Sequence, residues 1–198
     1  MSDNKIVVYV KKFAYENLKR GEKKKAETQN GRAILKEAVF REYGIDTNDL
    51  KIEKGEHGKP YFSDRKDIFF NISHSGDYAA AAVGNVPLGV DVQVMSRVGE
   101  SVIGKLCNDD EKRFLNESED RGKAFIILWS LKESFVKATG DGMSFPMKNI
   151  NFKMDNFKGE KEGGFSNRHG TFHVRDCGEY ALAACALSES AEFLVIDF

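Results

Sequence analysis

Apolar positions recur at two periods along this chain, and the switches between them mark its elements. Ile6 to Val10 is a β-branched run bounded by Lys11 and Lys12, the pattern of a buried strand. Tyr15 to Gln29 is polar and basic, with Lys19, Arg20, Lys23, Lys24 and Lys25. From Gly31 to Tyr43 the residues Ile34, Leu35, Ala38, Val39 and Tyr43 follow helical spacing, and Gly44 is placed to cap that helix. Lys51 to Lys54 reads as a short extended piece and Gly55 to Pro60 as a loop. Ile68 to Ile72 and Tyr78 to Val83 read as strands joined through His74, Ser75 and Gly76. After a turn at Gly84, Asn85 and Pro87, Leu88 to Val94 reads as a third strand.

Segment 95–120 is polar and loop-rich, with a short helix expected after Asn108 or Asp109, either a good N-cap. From Lys123 to Thr139 the stripe Ala124, Ile127, Leu128, Leu131, Phe135 and Ala138 predicts a long helix that Gly140 ends. Asp141 to Phe145 and Ile150 to Met154 lead into a Gly- and Lys-rich hairpin loop, Asp155 to Gly170. Thr171 to Val174, Tyr180 to Leu187 and Phe193 to Ile196 complete the strands. Two halves therefore repeat one order: strand, long helix, antiparallel strands. The break falls near Asn85 to Gly89, giving an N-terminal half 1–87 and a C-terminal half 88–198. Hairpin-linked strands point to an α+β fold.

Composition narrows the function classes. With 198 residues, 41% of them hydrophobic and 15 Phe, the chain can bury a real core. Lys and Arg number 30 against 31 acids, net charge −1, so nucleic-acid binding has no electrostatic support. No apolar stretch approaches the ~18 residues that a membrane span needs. Cys107, Cys177 and Cys185 are odd in number and lack CxxC spacing, which fits a reducing cytoplasm.

Three segments carry candidate chemistry. In Gly89-Val90-Asp91-Val92-Gln93, strand alternation puts Asp91 and Gln93 on one face. Two oxygen donors there are a start on a hard-cation site, or simply the wet face of an edge strand. In the segment Trp129 to Gly140, Glu133 and Lys137 are four apart on one helical face. They make an ordinary ion pair worth ~0.2–0.5 kcal/mol, or a carboxylate and amine set beside a metal-bound phosphate. Asn71-Ile72-Ser73-His74-Ser75-Gly76 follows Gly58-Lys59-Pro60. Its Ser-His pair suggests a hydrolase, yet no GxSxG elbow and no orienting acid accompany it. Ser73 and His74 can instead donate to a phosphate, or be structural.

Taken in this order and spacing, the segments from Gly58 to Gly140 closely resemble the 4′-phosphopantetheinyl transferases of the surfactin-synthetase-activating type. The resemblance implies transfer of the phosphopantetheine arm of coenzyme A to a serine of an apo acyl or peptidyl carrier protein. Adenosine 3′,5′-bisphosphate would leave, with Mg²⁺ as cofactor. It implies a pseudo-dimer of two similar halves, each a small antiparallel sheet on a long helix. The first half would contact coenzyme A, and the second would hold the magnesium and catalytic residues.

At matching positions, Asp91, Gln93 and Glu133 would ligate Mg²⁺, and Lys137 would hold the pyrophosphate or the attacking serine's surroundings. His74, and the backbone or hydroxyl of Ser73, would meet the 3′-phosphate, with Lys59 near the same phosphates. Arg32, Lys19 and Arg20 would add nucleotide contacts. Asp110 or Glu111 is the expected base by position, with Glu133 or a metal-bound water as alternatives. Many relatives carry Glu where this chain has Gln93, which removes a negative charge and predicts weaker Mg²⁺ binding. Arg97, Lys105, Lys112 and Arg113, around Val102, Ile103 and Leu106, form a candidate dock for an acidic carrier, or an ordinary solvated face. A monomer is expected, and a non-catalytic homologue that binds coenzyme A or carrier is the alternative reading.

Overall fold

The computed structural model describes residues 4–15, 18–142, 145–152 and 161–198. The first half runs β1 (Lys5–Lys12), α1 (Arg20–Tyr43), the ribbon β2 (Ile52–Lys54) and β3 (Pro60–Phe62), then β4 (Phe69–Ser75) and β5 (Tyr78–Gly84). The second runs β6 (Leu88–Val94), α2 (Glu100–Leu106), α3 (Asp109–Glu117), α4 (Arg121–Thr139), β7 (Glu162–Asn167), β8 (Gly170–Asp176) and β9 (Tyr180–Ala186). The last strand, β10 (Glu192–Asp197), crosses back and pairs with β1 in parallel. The two main sheets have the orders β10-β1-β5-β4 and β6-β9-β8-β7. The expected C-terminal half therefore does not keep its last strand.

The halves are α+β and built alike. β5 and β9 are both alanine-rich central strands that start at a tyrosine, Tyr78 and Tyr180. Their registers match as well. Val8 faces Ala82 across β1 and β5, and Val90 faces Ala184 across β6 and β9. Small side chains let the two sheets approach face to face over Val8, Val10, Ala80, Ala82, Val90, Val92, Leu182 and Ala184, all buried. Tyr78 and Tyr180 meet there with ring centroids 4.1 Å apart. The outer face of each sheet is covered by its helix. α1 lays Ile34, Leu35, Ala38 and Val39 on the first, and α4 lays Leu128, Leu131, Phe135 and Ala138 on the second. α4 lies so close to β6 that a Cβ at Gly89 would run into the Ser134 carbonyl and the Ala138 amide.

Five elements differ from the sequence reading. β3 follows a segment read only as loop, and β4 runs on to Ser75, through residues read as its link to β5. α1 begins at Arg20, not Gly31. Its first turns are mostly exposed, so good helix formers show no apolar stripe there. α2 falls in a segment read as loop. β7 lies inside the expected hairpin loop, where two adjacent glycines and a largely exposed edge mask the period of two. Of the expected segments Tyr15 to Gln29, Asp141 to Phe145, Ile150 to Met154 and Asp155 to Gly170, the stretches 16–17, 143–144 and 153–160 lie outside the described residues.

Candidate active site

β6 is the edge strand of the second sheet, and its outward amides are not left bare. The side chains of alternate residues on β4 accept them. Val90 N–H donates to Asn71 Oδ1 at 3.0 Å, Val92 N–H to Ser73 Oγ at 3.2 Å, and Val94 N–H to Ser75 Oγ at 3.2 Å. Residues two apart in a strand share one face, so three side chains reach three successive outward amides. This side-chain ladder joins the halves and fixes the register of β6 against β4.

Asp91 sits in the middle of that seam, 4% exposed. Its Oδ1 accepts from the Lys137 ammonium at 2.6 Å and from the Ser73 hydroxyl at 2.9 Å. Lys137 also donates to Ser73 Oγ at 2.9 Å. Asp91 Oδ2 is buried without a hydrogen-bond partner. Glu133 lies one helical turn before Lys137. Burial raises its carboxyl above the ordinary range, the nearby Asp91 charge raises it further, and Lys137 offsets part of this. Gln93 is half-buried on the same strand face as Asp91. The close approach at Gly89 is what brings α4 near enough for this cluster to form.

Two carboxylates therefore lie near one lysine, which bonds Asp91, in a seam with a bare carboxylate oxygen. The donors are hard oxygens, the kind that suits a small divalent cation. Among the described residues no group of three or more His, Cys, Asp or Glu side chains could hold a metal ion. Here a third protein donor would have to be the amide of Gln93. The unpartnered Oδ2 and the surplus of negative charge fit a cation.

The other expected site residues distribute as follows. His74 lies on the opposite face of β4 from Ser73, exposed, with Nδ1 3.8 Å from Glu27 of α1. Ser73 and His74 thus do not converge, which ends the hydrolase reading and the reading of hydroxyl and imidazole on a single phosphate. Lys59 is not a free phosphate ligand. Its ammonium donates to the carbonyls of Leu88 at 2.9 Å and Ala138 at 2.8 Å, tying the start of β6 to the end of α4. Burial pulls it down to about 8. Lys19, Arg20 and Arg32 are exposed on or beside α1, and Arg32 follows Gly31, which packs on Ile72 of β4.

Neither expected base joins the cluster. Glu111 is fully buried, and its Oε2 accepts from Lys132 at 2.7 Å and from the Asn108 amide at 2.9 Å. Asp110 is exposed and 3.5 Å from Arg113. Position before a helix could not show that α3 turns Glu111 inward to a lysine of α4. Lys132 itself was missed. A lysine among the apolar positions Leu128, Leu131 and Phe135 was the available signal that a buried partner awaited it.

A cavity of about 690 Å³ lies elsewhere, lined by residues that include Lys11, Lys12, Lys123 and Arg175, and holds none of the cluster. By the matched registers, Tyr9 stands on β1 where Asp91 stands on β6, and Lys11 where Gln93 stands. The first half thus has neither a carboxylate nor an amide at the positions of Asp91 and Gln93.

A family model described as the 4′-phosphopantetheinyl transferase superfamily matches residues 87–185, and one described as 4′-phosphopantetheinyl transferase, N-terminal, matches 9–85. The 4′-phosphopantetheinyl transferase Sfp of Bacillus subtilis (strain 168) is 28% identical over 162 residues, covering 79% of this chain and 71% of that protein. A second Bacillus subtilis 4′-phosphopantetheinyl transferase is 30% identical over 161 residues, with the same coverage. The human L-aminoadipate-semialdehyde dehydrogenase-phosphopantetheinyl transferase is 29% identical over 140 residues, covering 63% of this chain and 45% of that protein.

Proposed function

The chain belongs to the 4′-phosphopantetheinyl transferase superfamily, and on that premise we propose that it transfers the phosphopantetheine arm of coenzyme A to a serine of an apo acyl or peptidyl carrier protein. Asp91, Gln93 and Glu133 hold Mg²⁺ in this reading. The observation that supports it most is the charge count at the seam: Asp91 and Glu133 beside one ammonium, with Asp91 Oδ2 bare. Bound there, the cation would neutralise the diphosphate and the leaving phosphate.

The chain's own groups do the rest. Lys137, a quarter exposed, turns its ammonium from Asp91 to a diphosphate oxygen. His74, exposed on β4 of the first half, donates to the 3′-phosphate, with Arg20 and Arg32 of α1 and Lys19 just before it for the nucleotide. The serine Oγ of the carrier bonds to the phosphorus that bears pantetheine, and the bond from that phosphorus to the bridging oxygen breaks. Adenosine 3′,5′-bisphosphate leaves with the bridging oxygen. With Glu111 engaged by Lys132 and Asp110 on the surface, Glu133 is the carboxylate placed to take the serine proton.

The first half, 1–87, serves coenzyme A and the second, 88–198, the cation and the chemistry. The carrier docks on α2 and α3, where Arg97, Val102 and Lys105 are exposed, while Lys112 and Arg113 are already close to Asp109 and Asp110. No helix among the described residues is long and apolar enough to cross a membrane. A cytoplasmic monomer is the state in which we expect it to act. The test is intact mass of apo carriers after incubation with coenzyme A and Mg²⁺. A gain of one phosphopantetheine, absent with EDTA and with Glu133→Ala, is expected. Tight coenzyme A binding with no gain on any carrier would favour the non-catalytic homologue, for which Gln93 is the specific feature.

A further inference from the structure

The Ser73 hydroxyl has one donor and two acceptor positions, and all are taken. It donates to Asp91 Oδ1 at 2.9 Å, and accepts from Val92 N–H at 3.2 Å and from Lys137 at 2.9 Å. It is 5% exposed and faces away from His74. Nothing remains with which it could bind a phosphate. Asn71 and Ser75 make the same ladder bond to β6, but Ser73 alone of the three also donates to the Asp91 carboxylate.

We propose that the Ser73 hydroxyl positions the cation ligand Asp91, holding Oδ1 so that Oδ2 stays bare and aimed at the metal, and does not contact the nucleotide's 3′-phosphate. The inference rests on the magnesium reading above. A hydrogen bond to a ligating carboxylate fixes its rotamer, and loss of such an outer partner weakens metal binding by ~10–100-fold. Ser75 supplies the internal control, because Ser75→Ala removes a ladder bond of the same length and leaves Asp91 alone.

The experiment is titration with Mn²⁺, free ion followed by electron paramagnetic resonance, on wild type, Ser73→Ala, Ser73→Cys, Ser75→Ala and Asp91→Asn. Calorimetry in EDTA then compares coenzyme A with 3′-dephospho-coenzyme A. We expect Ser73→Ala to weaken Mn²⁺ by ~10-fold or more, Ser73→Cys to fall between, and Ser75→Ala to bind like wild type. The preference for coenzyme A over its dephospho form should be the same in Ser73→Ala as in wild type. Wild-type Mn²⁺ affinity in Ser73→Ala would overturn the inference, as would loss of that preference. Mn²⁺ affinity unchanged in Asp91→Asn would overturn the magnesium reading itself and this inference with it. Should Ser73→Ala not fold, Ser73→Cys carries the same comparison at its smaller expected shift.

Discussion

Lys132 and Lys137 leave different sides of α4, five residues apart, and each ends on a carboxylate. The Lys132 ammonium has three acceptors, Glu111 Oε2 at 2.7 Å and the carbonyls of Leu106 and Met147 at 2.9 Å each. Both side chains of that pair are shut from solvent, at 1% and 0%. Lys137 has two acceptors, Asp91 and Ser73, and is 26% exposed. An ammonium has three donor positions, so the first is full and the second keeps one in reserve. Charge stoichiometry separates them further. Glu111 and Lys132 are one to one, whereas Asp91 and Glu133 both lie near Lys137, which bonds Asp91. Each pair leaves a buried oxygen without a partner, Glu111 Oε1 and Asp91 Oδ2. The surplus negative charge, not the orphan oxygen, is thus what marks the second pair as a place for a cation. One lysine fastens α3 and the Met147 turn to α4, and the other is free to change partners.

The comparison breaks first at Lys132. Lys132→Met leaves Glu111 buried and uncompensated, and should cost about 3–5 kcal/mol in urea unfolding. Replacing both partners, Glu111→Leu with Lys132→Met, should recover most of that loss. If Glu111 were the base, the double variant would be stable and inert; we expect it to retain transfer. Next comes Lys137→Met. Its stability effect should be smaller, about 1–3 kcal/mol, because Asp91 is left buried without its ammonium while the lysine itself is partly solvated. Transfer to carrier should drop by ~10²-fold or more, the scale of removing one charged donor from a developing anion. Equal destabilisation by the two lysine variants would end the distinction.

That distinction was only half legible in the sequence. Period two gave Asp91 with Gln93, period four gave Glu133 with Lys137, and the order of segments joined them to His74. Those are local spacings that a strand or helix fixes by itself. The partners of Ser73 and Lys59, and the lysine that holds Glu111, lie 18 or more residues away, on elements whose packing no local period encodes. The resemblance sets Lys59 near the nucleotide phosphates, yet in the structure its ammonium bonds the Leu88 and Ala138 carbonyls. The fold shows the same division. β1 and β6, buried on both faces, and α4, with its apolar stripe, were readable, while the exposed first turns of α1 and the edge strand β7 have little apolar pattern to read. The return of β10 to β1 is a long-range pairing, beyond any reading of local pattern.

The smallest expected effect is the sharpest test of the surplus charge. Burial and Asp91 hold the Glu133 carboxyl above its ordinary range in the folded protein. Between the ordinary carboxylate value and that raised one, the folded state binds more protons than the unfolded chain, so stability without metal falls as pH climbs through the window. Glu133→Gln lacks that loss. Below the window both proteins carry a neutral group and should unfold alike. Above it, in EDTA, the variant should melt a few degrees higher, the scale at which ~1 kcal/mol acts in a chain of this size. Adding Mg²⁺ should reverse the order, because a ligand that binds the native state raises its stability by mass action and the variant lacks one of the two carboxylates. A Glu133→Gln protein that melts below wild type in EDTA at neutral pH would show the carboxylate to be a net stabiliser beside Lys137. The seam would then resemble the Glu111–Lys132 pair, with no charge left for a cation to neutralise.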